Sequence, residues 1–450
     1  MIAIKKTPGV YIEEISNFPP SVASVETAIP AFIGYTDKED HKFAARKIYS
    51  LLDFEESYCD FKSWKLAYDI KNNIVEEDFS RNELYYHMQL YFANGGGKCY
   101  IISLGSKARN SKGKKDDYLN ALDVLLKEDE PTLIVMPEVS QLPFESCMAV
   151  NQAALLQART LMDRFVILDV PEDEGGNEIE RFRNGIGSEN LMFGAAYYPF
   201  LKTNIGSYTK VKNEDIVFKE ITIEDKDGKK TKSVTNAEIE PGNMDRQKMI
   251  QSVKEQTRTM PPSAAIAGVY ATIDAARGVW KSPANVGLNF VSGPVRKISH
   301  EEHGELNIHS EGGKSINAIR SFTGRGIMVW GARTLAGNDN EWRYINVRRF
   351  YNFVEESVEK ATRQFVFEPN DANTWVRVST MIENFLTNLW RQGALTGATP
   401  KEAFFVKVGL GVTMTMEDIL NGIMNVEIGL AVVRPAEFII LKFSQKMQDS

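Results

Sequence analysis

Gly95-Gly96-Gly97-Lys98 comes nearest in composition to a phosphate cradle. A phosphate loop spaces its residues GxxxxGK[ST], so that backbone amides surround the phosphate and a hydroxyl holds magnesium. Here Phe92 stands where the first glycine belongs and Cys99 replaces the hydroxyl. The glycines also follow a helical pattern and precede an extended one, which makes them a helix C-cap. The one histidine cluster is His300-Glu301-Glu302-His303 with His309. A zinc helix of the HExxH type sets its histidines four apart on one face. These stand three apart, Gly304 follows at once, and the run reads as a solvated loop. The GxSxG elbow of a serine nucleophile is absent. Carboxylates such as Asp169, Glu172 and Asp173 are plentiful, but their spacing pairs none of them. Catalytic, metal and cofactor residues are therefore expected to be none. The alternative is an α/β enzyme with a site near Asp169 at the strand ends.

The arginines Arg320, Arg325, Arg333, Arg343, Arg348 and Arg349 form a looser group. They read either as internal salt bridges and capped helix ends or as ion pairs between subunits. In the second reading their acidic partners are Glu355, Glu356 and Glu13-Glu14. Contacts between different faces of identical copies build rings or open helices.

The elements that would position these residues belong to a chain of 450 residues, long enough for two or three domains. It is 43% hydrophobic and one quarter charged, ordinary for a folded protein. A net charge of −7 lacks the basic footprint of general nucleic-acid binding. Cys59, Cys99 and Cys147 show no CxxC spacing and suit a reducing compartment. The start, MIAIKKTPGVYIEE, has no apolar core of a signal peptide, and no apolar run nears the ~20 residues of a membrane span. The chain is expected to be made in the cytoplasm without membrane insertion.

Near the start, Thr7-Pro8-Gly9 forbids a regular helix and Val10-Tyr11-Ile12 favours a strand. Asn17-Phe18-Pro19-Pro20 is a stiff connector, so that strand must pair at a distance, within the chain or on another subunit. Strands are expected at 28–35, 99–104, 132–136, 165–169 and 195–201. Helices alternate with them near 84–91, 116–127 and 144–162, the first beginning at a Ser80 cap. That order implies a parallel α/β sheet with right-handed crossovers. Residues 37–80 read as an insertion or variable loop region, and 216–239 as an exposed β-hairpin turning at Asp227-Gly228. The small residues of 261–270 suit close helix packing, and a strand is expected at 327–330.

Tyr344 to Trp375 is the densest stretch. A short strand over 344–347 enters a helix on which Phe350, Val354, Val358, Ala361 and Phe365 form one stripe. Glu355, Glu356, Glu359, Lys360 and Arg363 take the other side, with Glu359 and Arg363 at i,i+4 spacing. A second helix, capped near Asn370-Asp371, carries Val378, Ile382, Phe385, Leu386 and Leu389 to Gly393. Phe404 to Val408 is a strand, and Thr415 with Asp418 has capping-box spacing. Strands over 426–433 and 438–443 end the pattern.

Several segments together resemble the tail sheath proteins of contractile phage tails and extracellular contractile injection systems. They are TPGVYIEEI with FPPSV, ETAIPAFIGYT, YFANGGGKCYI, PPSAAIAGVYATIDAARGVWKSPAN, GRGIMVWGARTL, EWRYINVRRFYNFVEESVEKATRQFVFEPNDANTW and VEIGLAVVRPAEFIILKFSQ. Coverage is nearly end to end, missing chiefly 37–80 and 203–243. The length and N-terminal third look closer to injection-system sheaths than to large phage sheaths.

The resemblance implies a mixed α/β (α+β) fold in four parts. These are an N-terminal arm over 1–27, a middle α/β domain over 28–330 with insertions near 37–80 and 203–243, a C-terminal sheath domain over 331–437, and a C-terminal strand arm over 438–450. It implies that the terminal strands, Val10, Tyr11 and Ile12 at one end and Phe438, Ile439, Ile440 and Leu441 at the other, complete a neighbour's sheet. A charged helix face, here Glu355, Glu356, Glu359, Lys360 and Arg363, would touch an inner tube. The implied partners are further copies in a helical homopolymer of hexameric rings, the inner tube protein, baseplate and terminal cap proteins, and sibling sheath proteins, with no nucleic acid and no cofactor. Assembly would occur in the bacterial cytoplasm, within a phage tail or tail-like particle that can be released. The family's sheath assembles long, then shortens and widens to drive the tube.

Overall fold

From Pro30 onward, apolar strands alternate with amphipathic helices, the pattern of a sheet covered on both faces. The computed structural model describes residues 22–64, 66–69, 74–78, 83–107, 113–172, 176–206, 210–226, 229–236, 244–254, 257–309 and 312–441. Val10, Tyr11, Ile12 and the Ser80 cap lie outside them. The chain divides into a larger unit, Val25–Glu355 with Arg434–Ser450, and a smaller one, Met1–Ser24 with Glu356–Val433.

The larger unit opens with β1 (Pro30–Gly34), β2 (Ala45–Ile48), α1 (Leu51–Tyr58), β3 (Leu66–Asp69), β4 (Ile74–Asp78) and α2 (Glu83–Ala93). Next come β5 (Cys99–Ser103), α3 (Lys115–Leu125), β6 (Leu133–Val135), α4 (Phe144–Leu161), β7 (Phe165–Asp169), α5 (Glu178–Gly185) and β8 (Gly194–Tyr198). Five of the parallel strands stand in the order β5-β1-β6-β7-β8. That is the doubly wound 2-1-3-4-5 arrangement. In β1, Ala31 and Ile33 face one core with α3 and α4, while Phe32 faces the other with α2. Two-sided burial is why these strands read as unbroken apolar runs rather than alternating ones.

β9 (Leu201–Gly206), β10 (Ile216–Lys226), β11 (Lys229–Asn236), α6 (Met244–Lys254), β12 (Thr257–Met260) and α7 (Ser263–Arg277) follow. The small residues of α7 let it approach α2 closely. A Cβ on Gly268 would stand 2.6 Å from the Tyr91 carbonyl oxygen, so only glycine fits. The unit continues through β13 (Val286–Gly287), β14 (Val291–Pro294), α8 (His300–Asn307), β15 (Ile316–Phe322) and β16 (Gly326–Val329). β15 pairs parallel to β8, and β16 and β13 extend that edge antiparallel. α9 (Ile345–Thr362) begins in this unit.

Three expectations are corrected here. Within 37–80 the described residues are not a loop region: β2 pairs with β5, and Phe54, Tyr58, Trp64 and Leu66 are core residues. β3 and β4 join the expected hairpin, β10 and β11, in one sheet ordered β11-β10-β3-β4, with Leu66 opposite Ile216. Periodicity missed this because β3 finds β10 about 150 residues further along the chain. The 344–347 strand shrinks to a bridge from Tyr344 to Arg333, and the helix starts at Ile345. The histidine run is helical, with Ser299 and Glu302 forming a capping box.

In the smaller unit, the end of α9 leads through a short 3-10 turn to α10 (Ala372–Arg391). Asp371 caps α10 by accepting from the Thr374 amide, and Val378, Ile382, Phe385, Leu386 and Leu389 are buried on its apolar face. α11 (Pro400–Ala403) leads into β17 (Phe404–Lys407). After α12 (Met416–Leu420), capped by Thr415 and Asp418, comes β18 (Glu427–Leu430), antiparallel to β17. Just beyond, Phe438, Ile439, Ile440 and Leu441 pair with none of the described residues, and 442–443 of the expected strand lie outside them.

Candidate functional site

The chemistry-bearing groups resolve into structural parts. The amide of Gly95, at φ +88°, donates to the Phe92 carbonyl at 3.1 Å, and that of Gly96 donates to Tyr91 at 3.0 Å. This pair of bonds is the Schellman close of a helix. Lys98 pairs with Glu26 at 2.6 Å rather than standing ready for phosphate. The His303 ring lies 3.0 Å from the Trp330 carbonyl oxygen, and His309 Nδ1 accepts from the Gly312 amide at 3.1 Å. Among the described residues, no group of three His, Cys, Asp or Glu side chains could hold a metal.

Asp169 ends β7 at the carboxyl edge of the sheet, where open α/β folds bind ligands. Its Oδ1 accepts from the Ser263 amide at 2.8 Å, so it serves the first residue of α7. Burial pushes its carboxyl up to about 7. At 6% exposure it faces protein rather than a substrate cleft.

Arg333, Arg348 and Arg349 are buried and serve the inside of the subunit. Arg348 donates to Asn352 at 2.7 Å and Glu355 at 3.0 Å, with its guanidinium 4.4 Å from the Trp342 ring centroid. Arg349 donates to both carboxylate oxygens of Asp274, at 3.1 and 2.5 Å, and to the Thr27 carbonyl at 2.8 Å. Arg333 holds Glu437 in a two-pronged pair at 2.8 and 2.5 Å. For these three, the internal reading of the arginine group applies. Arg325 donates to Asn285 at 2.6 Å, Arg343 to the Asp339 carbonyl at 2.9 Å, and Arg320 lies against Phe322.

The charged side of α9 is uneven. Glu356 is 7% exposed and accepts from Lys360 at 2.6 Å. Glu355 is half-buried; burial raises its carboxyl while Arg348 opposes that rise. Only Glu359 and Arg363, paired at 3.0 Å, present their charges well out in solvent. The sequence pattern placed all five on one side because periodicity records angle around the helix, not what packs over it.

The C-terminal segment is bonded at its root and exposed beyond it. Arg434 donates to the Asn340 carbonyl at 2.9 Å, and Glu437 also accepts from the Tyr344 hydroxyl at 3.2 Å. Burial raises the Glu437 carboxyl, but the bonds and charge of Arg333 outweigh it and hold the group below its usual range. Immediately beyond, Phe438, Ile439, Ile440 and Leu441 are 68–81% exposed. Four consecutive large apolar residues standing in water, with no strand partner among the described residues, mark a contact surface. In the smaller unit, β17 and β18 form a sheet of two strands, and just past β18 the chain is held by a single bridge, Leu395 to Val432, rather than by a third strand among the described residues.

Residues 337–446 match the phage tail sheath C-terminal domain model. The tail sheath protein of Burkholderia phage BcepMu is 29% identical over 155 residues, 33% of this chain and 32% of that protein. That of Vibrio phage KVP40 is 28% identical over 141 residues, 31% of this chain and 21% of that protein. The matched stretch thus spans a third or less of these relatives' own length. Whole-chain likeness comes from solved structures. The sheath complex of PVC, an extracellular contractile injection system, in its contracted state is 31% identical, with TM-score 0.68 and 99% of both chains covered. The contracted helical sheath of the anti-feeding prophage is 32% identical, with TM-score 0.67, covering 98% of this chain and all of that one. A likeness of that extent and identity means that this chain belongs to the contractile sheath family of phage tails and tail-like injection systems.

Proposed function

We propose that the chain is the structural sheath subunit of a contractile injection system, polymerising helically around an inner tube and contracting to drive it through a target envelope. The observation that carries this reading is the exposed apolar run Phe438–Leu441 on a chain that also carries a sheet of only two strands among its described residues. Two strands are marginal in water, and an added strand satisfies the amides and carbonyls of an edge. Each main-chain bond contributes only ~1 kcal/mol net, yet several per subunit, repeated along a polymer, make a continuous mesh. The N-terminal strand, with Val10, Tyr11 and Ile12, would supply the second exchanged segment. An extended connector can pivot, so neighbours stay joined while their bodies move between a long packing and a shorter, wider one.

In this reading the energy of contraction is stored in conformation, not taken from a nucleotide. The proposed layout keeps an arm over 1–27, a middle domain over 28–330, a sheath domain over 331–437 and an arm over 438–450. Glu359 and Arg363 are the favoured tube-facing charges of the group that also includes Glu355, Glu356 and Lys360. The remaining proposed partners are baseplate, cap and sibling sheath proteins. Assembly is placed in the bacterial cytoplasm and release in the surroundings.

Electron microscopy of the protein expressed with its tube tests this reading. The full chain should form sheathed tubes, and deletion of 438–450 should leave a folded monomer that forms none. Normal tubes from the truncated chain would refute strand exchange.

A further inference from the structure

The root of the C-terminal arm is tied down more firmly than an exposed tail requires. Glu437 directly precedes Phe438, and its carboxylate takes two bonds from Arg333 and one from Tyr344. Arg333 is 4% exposed at its side chain and Glu437 15%, so the pair is shielded from water and from salt. The same guanidinium donates to the Gly337 carbonyl at 3.0 Å, and the Arg333 amide donates to Asn317 on β15 at 2.9 Å. The chain leaves the smaller unit after Val433, and Arg434–Glu437 belongs to the larger one. The other end shows the same device: Arg349 and Asp274 hold Thr27, which follows Val25, where the larger unit begins.

We propose that the Arg333–Glu437 pair is a positioning clasp that fixes where the C-terminal arm departs and transmits the pull of a neighbouring subunit into the main sheet. The proposal rests on the exchange of that arm. Its physical basis is slack. With the clasp open, the next tether back along the chain is Arg434 on Asn340, three residues earlier. Three extended residues add ~10 Å of free chain. That is longer than the ~7 Å two-residue repeat that sets strand register. A longer free linker also lowers the effective concentration of the arm at its acceptor. An arm with such slack could still pair, but it would not hold neighbouring bodies at one spacing.

Glu437→Gln removes the charge while keeping the shape, and Arg333→Lys keeps the charge while losing the fork. In the soluble subunit, both should speed hydrogen exchange at the amides of Arg434, Ala436 and Glu437 by roughly tenfold, the factor carried by one charge-assisted bond. Exchange in the strands of the main sheet should not change. Assembled on the tube, both variants should give sheaths of variable pitch, or a critical concentration raised roughly tenfold. Wild-type pitch and critical concentration in both variants would overturn the clasp, and strand exchange would stand if deletion of 438–450 still blocked assembly. Tubes formed normally by that deletion would refute strand exchange and the clasp together. If Arg333→Lys fails to fold, Glu437→Gln decides alone, since Glu437 lies outside every strand and helix of the larger unit.

Discussion

Replacing Ile440 with proline separates assembly from folding. Ile440 is 81% exposed and sits in no strand of its own subunit, so proline there should leave the monomer within ~0.5 kcal/mol of wild type. In an exchanged strand the same change removes a backbone donor, worth ~1 kcal/mol net. It also removes much of an isoleucine side chain that would pass from water into an interface, worth ~2 kcal/mol. Together, ~3 kcal/mol corresponds to a factor of roughly one hundred in each subunit contact. The assay is the critical concentration for assembly, measured by sedimentation at fixed salt, with calorimetric unfolding of the monomer as control. A critical concentration within about twofold of wild type, alongside an unchanged monomer, would refute the reasoning. A collapsed monomer would do so too, because it would mean that Ile440 belongs to the subunit's own fold.

The charged side of α9 offers a second test. Reversing the exposed pair with Glu359→Lys and Arg363→Glu should cost the fold less than about 1 kcal/mol and weaken assembly on the tube. Glu356→Lys, which places a cation in a buried position beside Lys360, should instead lower the melting temperature of the isolated subunit. Asp169 gives a pH signature. Its carboxyl sits at about 7 in the folded chain against an ordinary 3.8, so the native state binds the extra proton. Its contribution is therefore complete below pH 3.8 and is lost as pH rises toward 7, to a total of up to ~4 kcal/mol. Asp169→Asn should match wild type near pH 4 and exceed it in melting temperature at pH 8; equal melting temperatures at both would contradict a buried capping carboxyl.

What the sequence made legible follows from where each signal is local. The apolar runs of β1, β5, β6 and β7, the Asp371 cap and the Thr415–Asp418 capping box carry their own partners or a complete period within a few residues. Residues 37–80 misled because β3 alternates weakly and finds β10 only after a long excursion. The strand entry to α9 failed because Ile345–Arg349 are buried all round, and continuous burial erases the period that separates strand from helix. The arginines were visible as a group, but their partners were not. Thr27, Asp274 and Glu437 lie far away in sequence, and nothing in spacing joins them to Arg349 and Arg333. Phe438–Leu441 is the reverse case: its β propensity is plain, yet the described residues of its own subunit offer it no ladder.

Strand exchange is tested most directly by cryo-electron microscopy of the assembled sheath, at a resolution that traces the backbone from Arg434 to the C-terminus. The prediction is that residues 438–441 of one subunit run hydrogen-bonded along β17 or β18 of another, with Arg333 and Glu437 still paired at the root. An arm folded back onto its own subunit, or ordered without main-chain bonds to a neighbour, would contradict it.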